Sequence, residues 1–271
     1  LEVKKESVKL QKKLGSGCFA DVYAGKWRNN VDVAVKILKP FKMTQKVFLR
    51  EAKRMQTIRH SKLVQLLAVC TNSEPIWIIT ELMVHGTLLD YLRNDYGKHI
   101  KFKDICDIAA QIADGMAYLE TENIVHRFLR AANILLGENN DVKIADFGLA
   151  RLIQEETDIN TKFPMKWTAP EAAFDMKFSI KSDIWSFGVL LYELVTFGRQ
   201  PYPGMSGREV LSKLDKGYRM PKPTGDPVSV PEPYYNTMLK CWNMVPESRP
   251  TFAHLQDFFV NFFVYAEEHR K

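Results

Sequence analysis

The chain has 271 residues, with 38 lysines and arginines against 32 aspartates and glutamates, which gives a formal charge of +6. Hydrophobic residues make up 46% and charged residues 26%, close to the averages for soluble globular domains. This composition excludes a disordered chain, a collagen-like repeat and a small disulfide-stapled scaffold. The length is enough for one large domain or two lobes.

The early elements have strand character. Val31 to Leu38 alternates and is rich in β-branched residues, so it predicts a strand, and the short apolar run Ile76 to Thr80 predicts another. Between them, Thr44 is placed to cap a helix that runs to about Ile58. The first third of the chain is therefore expected to be rich in β-structure.

Helical spacing dominates from Thr87 onward. Apolar residues recur at i, i+3, i+4 and i+7 between Ile105 and Leu119, which predicts a helix with one broad apolar face. Ser182 to Phe197 is apolar nearly all round and predicts a buried central helix. Proline and glycine cluster at 198–207 and 220–233, which indicates loops. The segregation predicts an α+β protein of two unequal lobes with a cleft between them.

The four cysteines, Cys18, Cys70, Cys106 and Cys241, are far apart and form no CxxC pair. No histidine or acid clusters with them at metal-binding spacing, so we expect reduced, mostly packed thiols. For Cys18, which lies in a glycine-rich segment, a reactive thiol and a merely tolerated cysteine are both open, and we favour the second.

No apolar run approaches the ~18 residues that a membrane helix needs. The richest stretch, Gly188 to Gly198, is interrupted by Glu193. The chain begins without methionine, so we expect a domain of a longer protein. Basic residues alternate with acids, as in Arg50-Glu51-Ala52-Lys53-Arg54, which favours a solvated surface. We therefore expect no nucleic-acid partner and no membrane contact from this domain.

Gly15-Ser-Gly17 lies between two predicted strands, and glycines at this spacing let backbone N–H groups approach phosphates. Alone the pair is a weak signal, since most such pairs are ordinary turns and Ala20 stands where a third glycine is usual. The specificity comes from the motifs that follow in order. They are Val33-Ala34-Val35-Lys36, Glu51, His126-Arg127-Phe128 with Asn133, Asp146-Phe147-Gly148, and Ala169-Pro170-Glu171.

This ordered set is the protein-kinase signature, and the sequence resembles a protein kinase domain over nearly its whole length. Five further sequence segments are similar to those of the Src family of tyrosine kinases. These are Arg130-Ala-Ala-Asn133, Lys162 to Glu171, Ser182 to Gly188, Pro201 to Met205 and Glu247 to Phe252.

The resemblance implies one kinase-like domain over 1–271, with a small β-rich N-lobe and hinge at 1–83 and a larger helical C-lobe at 84–271. It implies an ATP site with Mg²⁺, held by oxygens of Asn133 and Asp146. Glu51 is expected to pair with Lys36, and Asp183 and the pair Glu171–Arg249 are expected to be structural. The remaining implied positions are the phosphate loop (Gly15, Gly17), the adenine slot (Val22, Ala34, Leu135), the residue behind it (Thr80), the hinge (Glu81, Met83) and the catalytic-loop Arg130.

The sequence departs from the family at the catalytic base. An active kinase has aspartate after His-Arg to accept the proton of the substrate hydroxyl, and this chain has Phe128. Asn133 follows five residues later, as the motif requires, so the alignment holds. Phenylalanine accepts neither a proton nor a hydrogen bond, and its ring takes space that the substrate hydroxyl would use.

A second departure lies between Asp146 and Glu171, where no tyrosine is present to act as an activating phosphorylation site. Two interpretations of the acids Glu155, Glu156 and Asp158 stay open. They pair with Arg127 or Arg151 in place of a phosphate, or they belong to a solvated acidic loop, which we favour.

These departures give two hypotheses of different kinds. The first is a pseudokinase that binds ATP and Mg²⁺ and serves signalling proteins as a switch or scaffold. The alternative is a weakly active tyrosine kinase without a conventional base. A purely structural domain is disfavoured by the presence of Lys36, Glu51, Asn133 and Asp146. A cytoplasmic location is expected, with any membrane association provided by regions outside this chain.

Overall fold

A computed structural model describes residues 1–17, 20–28, 30–40, 44–95, 97–147, 164–225 and 228–268. The predictions for Cys18, and those for the acidic stretch and Arg151 within 148–163, lie outside these ranges.

The first part of the chain forms a five-stranded antiparallel sheet in the order β1-β2-β3-β5-β4. Its strands are β1 (Val8–Ser16), β2 (Ala20–Trp27), β3 (Val31–Leu38), β4 (Leu66–Cys70) and β5 (Trp77–Glu81). The strand predicted at 31–38 is confirmed, and the one predicted at 76–80 begins one residue later. Ile76 still contributes its carbonyl, which accepts a hydrogen bond from the Leu38 N–H at 2.9 Å.

Helix α1 (Gln45–Thr57) packs on one face of this sheet and confirms the predicted helix. Thr44 caps it, because its side chain accepts a hydrogen bond from the Val47 N–H at 3.4 Å. Phe48 and Ala52 are buried in a cluster with residues of β3, β4 and β5. This packing fixes the face of α1 that carries Glu51.

The second part is helical, apart from the hairpin β6 (Ile134–Leu136) and β7 (Val142–Ile144). Its helices are α2 (Leu88–Arg93), α3 (Phe102–Thr121), α4 (Pro170–Asp175), α5 (Ile180–Val195), α6 (Gly207–Asp215), α7 (Glu232–Cys241), α8 (Phe252–Val260) and α9 (Phe262–Glu268). Helix α5 is the predicted buried central helix, with 14 of its residues buried.

Both predicted loops are slightly too long, since Gly207 begins α6 and Pro233 lies in the first turn of α7. Ser206 caps α6 strongly enough to start a helix at glycine, and proline is tolerated in a first helical turn. Among the described helices, none is long and apolar enough to cross a membrane.

The sheet and the helical part meet where the Val64 N–H donates to the Ile144 carbonyl at 2.9 Å and the Ile144 N–H donates to the Lys62 carbonyl at 2.8 Å. Met83 and the hairpin residue Leu135 belong to the small apolar cluster beside this junction. The two-lobed α+β fold is therefore confirmed, with the expected cleft residues close to the junction between the lobes.

Candidate nucleotide and phosphotransfer site

The glycine-rich turn, Gly15 to Gly17, has open space beside its two glycines among the described residues. The Gly17 N–H donates to the Ala20 carbonyl at 2.8 Å and closes the β1–β2 connection. Among the described residues, a Cβ added at Gly15 would meet no atom within 4 Å, and one at Gly17 would meet only the Ala20 carbonyl oxygen, at 3.6 Å. Internal packing therefore does not require glycine at these positions, and the open space suits a phosphate chain lying against the backbone.

An apolar slot lies on the face of the sheet that carries Lys36. Val22 stands opposite Lys36 in the β2–β3 register, and Ala34 stands opposite Thr80 in the β3–β5 register, so these side chains share one face. Leu135 packs against Val64, Met83 and Ala145 at the junction with the C-lobe. The residues expected to sandwich adenine thus come from both lobes.

The segment after β5, the expected hinge, leaves backbone groups without hydrogen-bond partners among the described residues. The Glu81 carboxylate accepts a hydrogen bond from the Gln65 N–H and pairs with the Lys143 ammonium, both at 2.8 Å, so this side chain braces neighbouring segments. Thr80 is buried and donates to the Glu81 carbonyl at 3.2 Å. The N–H and carbonyl of Met83 hydrogen bond to nothing in the described part of the chain, which suits pairing with a nucleotide base.

Lys36 is buried and forms an ion pair with Asp146 rather than with Glu51. The expected Lys36–Glu51 pair is absent from the described residues, where Glu51 lies 3.9 Å from the Arg50 Nε. Asp146 has a left-handed backbone (φ 65°), and its carboxylate takes the place beside the ammonium. The prediction is wrong only about the partner of Lys36. Glu51 lies on α1, as expected, and faces a cavity of about 200 Å³ beside Phe147.

Asp183 holds the backbone of the catalytic loop, as the resemblance implies. Its two oxygens accept hydrogen bonds from the His126 N–H at 2.7 Å and the Arg127 N–H at 2.8 Å. Burial raises the pKa of Asp183 to about 7, and the two amide donors oppose that shift. Asp183, a side chain of α5, therefore holds the backbone of the catalytic loop at His126 and Arg127.

His126 links the catalytic loop to the segment that carries Asp146. Its Nδ1 accepts a hydrogen bond from the Phe128 N–H at 3.2 Å, so Nε2 carries the hydrogen and donates to the Ala145 carbonyl at 2.9 Å. Burial lowers the pKa of His126 from 6.5 to about 4. The imidazole is neutral at pH 7 and acts as a structural link.

At Phe128 the backbone of the catalytic loop is held in place, but the side chain cannot act as a general base. Its side chain is buried, with 8% of the residue exposed, and its carbonyl accepts a hydrogen bond from the Asn133 Nδ2 at 2.6 Å. The backbone at this position is thus held on both sides, while the aromatic ring cannot accept the proton of a hydroxyl group.

A backbone hydrogen bond ties Asn133 to the residue before Asp146, since the Ala145 N–H donates to the Asn133 carbonyl at 2.8 Å. The Asn133 amide nitrogen is used by Phe128, which leaves Oδ1 as a ligand. One amide oxygen and one carboxylate suit Mg²⁺, which takes few protein ligands besides phosphate and water. In the described ranges no group of three or more His, Cys, Asp or Glu side chains could hold a metal ion.

Glu193 on α5 is a buried carboxylate that the sequence analysis noted only as an interruption of an apolar stretch. Its Oε2 accepts hydrogen bonds from the Ala131 N–H at 2.9 Å and the Trp167 Nε1 at 3.0 Å. The Arg130 guanidinium lies over the Trp167 ring, 5.5 Å from its centroid. Glu193 therefore joins the catalytic loop to the segment that precedes α4. An acid in a helix that is apolar all round was the signal for such a residue.

Glu193 gives a pH-dependent contribution to stability. Burial raises its pKa from 4.5 to about 7, so the folded state holds the proton more tightly than the unfolded state does. Stability is therefore lost as pH rises from about 4.5 to 7. Between pH 5 and pH 8 the titration of Glu193 should cost wild type about 2–3 kcal/mol of stability, and Glu193→Gln should not show this loss.

The measurement is urea unfolding of both proteins across this pH range. Asp183 and His126 titrate in both proteins, so their contributions cancel in the difference. Glu232→Gln, the same substitution at an exposed carboxylate, serves as the matched control. Parallel curves for wild type and Glu193→Gln would show that the Glu193 carboxyl does not titrate in this range.

Comparison with known proteins agrees with this geometry. The family model for protein tyrosine and serine/threonine kinases matches residues 8–259. The chain is 56% identical over 267 residues to Tyrosine-protein kinase SRK2 of Spongilla lacustris, covering 96% of this chain and 72% of the relative. It is 52% identical over 270 residues to SRK3 of the same sponge, covering 98% and 80%.

Tyrosine-protein kinase Fgr of Rattus norvegicus is 52% identical over 269 residues, covering 98% of this chain and 51% of Fgr. The chain thus spans about half the length of Fgr. The family match over most of the chain and the two sponge relatives lead to one conclusion: the chain belongs to the protein tyrosine and serine/threonine kinases, as a tyrosine kinase domain of the Src-family type.

Proposed function

We propose that this domain transfers the γ-phosphoryl group of ATP to protein tyrosine residues, slowly and without a conventional catalytic base. The observation that carries the proposal is the grouping of Lys36, Asn133 and Asp146 around a catalytic loop whose backbone is held although Phe128 has replaced the base. The relatives are named tyrosine kinases, which supports this alternative more than the pseudokinase reading.

The residues of this chain would act mainly by position and charge. Lys36 would place its ammonium on the phosphates, and the oxygens of Asn133 and Asp146 would hold Mg²⁺. When bound, Mg²⁺ neutralises charge on the phosphate oxygens. The tyrosine oxygen forms the new bond to the γ-phosphorus, the bond to the ADP oxygen breaks, and the phenolic proton passes to an oxygen of the transferred phosphoryl group.

The missing base lowers the rate without removing catalysis. A positioned general base contributes about 10²–10⁴-fold, or roughly 3–5 kcal/mol. Phosphoryl transfer depends largely on positioning and electrostatic stabilisation, which Lys36 and the Mg²⁺ ligands would supply. A rate well below that of an ordinary tyrosine kinase, yet above background, follows.

Binding of ATP with Mg²⁺ should stabilise the domain. At a ligand concentration of about 100 times Kd the stabilisation is about 2.7 kcal/mol, which corresponds to a rise in Tm of about 5–10 °C for a chain of this size. The measurement is thermal unfolding with ATP and Mg²⁺, with ATP alone, and with Mg²⁺ alone. Asp146→Asn is the variant for comparison, and its rise in Tm should be smaller because one ligand carboxylate is lost.

The phosphotransfer step is tested separately with labelled ATP and a tyrosine-containing peptide. Incorporation that Asp146→Asn abolishes would support the proposal. A rise in Tm without any incorporation above background would overturn it and leave nucleotide binding alone.

That outcome would favour the second candidate, a nucleotide-binding switch or scaffold for signalling proteins. The observation behind it is the burial of the Phe128 ring at the position of the base. The assignments of 1–83 and 84–271 to the two lobes, a cytoplasmic location and the tyrosine-containing protein substrates also belong to the proposal, supported by the resemblance to the Src family.

A further inference from the structure

The positive charge of the chain is concentrated in one short segment. Residues 39–62 contain eight lysines and arginines and one acid, Glu51, which is a net charge of +7. The other 247 residues contain 30 basic and 31 acidic residues and are close to neutral. The interleaving expected from the sequence therefore does not extend to this segment, which includes the whole of α1.

Four of these cations share one face of α1. Lys46, Arg50, Lys53 and Arg54 stand at offsets of 0, 4, 7 and 8 residues, so they fall within about a third of the helix circumference. All four are exposed, whereas Phe48 and Ala52 face the sheet from the opposite side. We call these four residues the α1 basic stripe.

The stripe has little internal compensation. Arg50, whose side chain is 71% exposed, lies 3.9 Å from Glu51 at its Nε. In the ranges described above, no carboxylate forms an ion pair with Lys46, Lys53 or Arg54. Other cations of the segment have partners elsewhere, since Lys39 donates to the Gly17 carbonyl and Lys62 pairs with Asp141. Among the described residues, the stripe is therefore an exposed row of charge with one neighbouring carboxylate, that of Glu51.

The surroundings of the stripe indicate what it contacts. None of the exposed large apolar side chains of the described residues lies between 44 and 62. A membrane-interface helix and a single-strand nucleic-acid site both use exposed aromatic or aliphatic side chains, which the stripe lacks. Residues 84–271 include 22 basic and 25 acidic residues, so an extended polyanion would meet unfavourable charge beyond α1.

We propose that the α1 basic stripe is a docking surface for a short acidic segment of a protein partner. The stripe extends from residue 46 to residue 54, nine residues of helix and about 12 Å, which matches about four residues of extended chain. Two arginines offer forked donors for bidentate bonds to carboxylates, and two lysines add compact charges. The proposal concerns binding alone and does not depend on phosphotransfer.

The test is fluorescence anisotropy with a labelled hexaglutamate peptide that contains no tyrosine. The variant is Lys46→Gln, Arg50→Gln, Lys53→Gln and Arg54→Gln combined. The matched control neutralises four exposed C-lobe cations, in Lys103→Gln, Arg208→Gln, Lys216→Gln and Lys240→Gln combined. Each variant loses four positive charges, so the comparison tests the position of the charge rather than the net charge of the protein.

We expect the stripe variant to bind the peptide at least about tenfold more weakly than wild type and the control to stay within about twofold. The difference should shrink with rising salt, since exposed ion pairs are screened. Equal losses in the two variants, or no binding by wild type, would overturn the proposal. Lys53→Glu alone should weaken binding too and provides a test if the combined variant fails to fold.

Anionic phospholipid vesicles and a DNA duplex are measured with the same proteins. Tighter binding to either than to the peptide, lost in the stripe variant and kept in the control, would show that the partner class is wrong. Weaker, position-independent binding to both would support an acidic protein segment.

Discussion

Glu171→Ala is expected to lower the free energy of unfolding by about 3–5 kcal/mol, because it leaves a buried arginine without its counter-charge. The Arg249 side chain is fully buried and its two terminal nitrogens bond to the two Glu171 oxygens at 2.6 and 2.9 Å. Two further donors bond to the carbonyls of Asn243 and Lys181, both at 2.8 Å, and the guanidinium lies 5.1 Å from the centroid of the Trp185 ring.

The pair therefore ties the start of α4 to the loop before α8 and to α5. Urea unfolding followed by tryptophan fluorescence measures the loss. Lys222→Ala, which breaks the exposed pair with Glu232, is the control and should cost less than about 1 kcal/mol. The combined Glu171→Leu and Arg249→Met variant should lose less than Glu171→Ala, because it removes both charges. A cost below 1 kcal/mol for Glu171→Ala would contradict this account of the pair.

The sequence predicts elements well where one local rule decides the structure. Alternation along 31–38 and the cap at Thr44 are local signals, and β3 and α1 form where those signals place them. The partner of Lys36 is a different problem, because two acids are candidates. Glu51 is fifteen residues away along the chain and Asp146 is 110 away, and neither separation gives a distance in space. Only the packing of the two lobes decides between them.

Long-range hydrogen bonds and helix faces explain the other differences. The partners of Glu193, Ala131 and Trp167, lie 62 and 26 residues away along the chain. The alternation of charge around Glu51 suggested dispersed cations in the linear sequence. On a helix, however, successive residues are turned by about 100°. Glu51 therefore points away from the middle of the basic stripe, and the stripe becomes apparent when the residues are placed around the helix rather than along the chain.

Phe128→Asp is expected to raise kcat/KM for a tyrosine-containing peptide by about 10²–10⁴-fold, the contribution of a positioned general base. The backbone at this position is held by bonds that do not involve the side chain. The N–H donates to the His126 ring, the carbonyl accepts from Asn133, and Asp183 fixes the preceding residues. The new carboxylate would therefore be attached to a loop already anchored beside Asn133 and Asp146, the residues proposed to hold Mg²⁺.

Two further variants separate the base from the space that the ring occupies. Phe128→Asn matches aspartate in size and offers no base, and Phe128→Ala removes the ring alone. If Phe128→Asp gains activity and Phe128→Asn does not, proton acceptance is the missing function, and the site is otherwise competent for transfer to tyrosine. Equal gains in both would assign the defect to the bulk of the ring. If no variant gains, although each binds ATP and Mg²⁺ as wild type does, the second candidate is favoured, because restoring the base does not restore an enzyme.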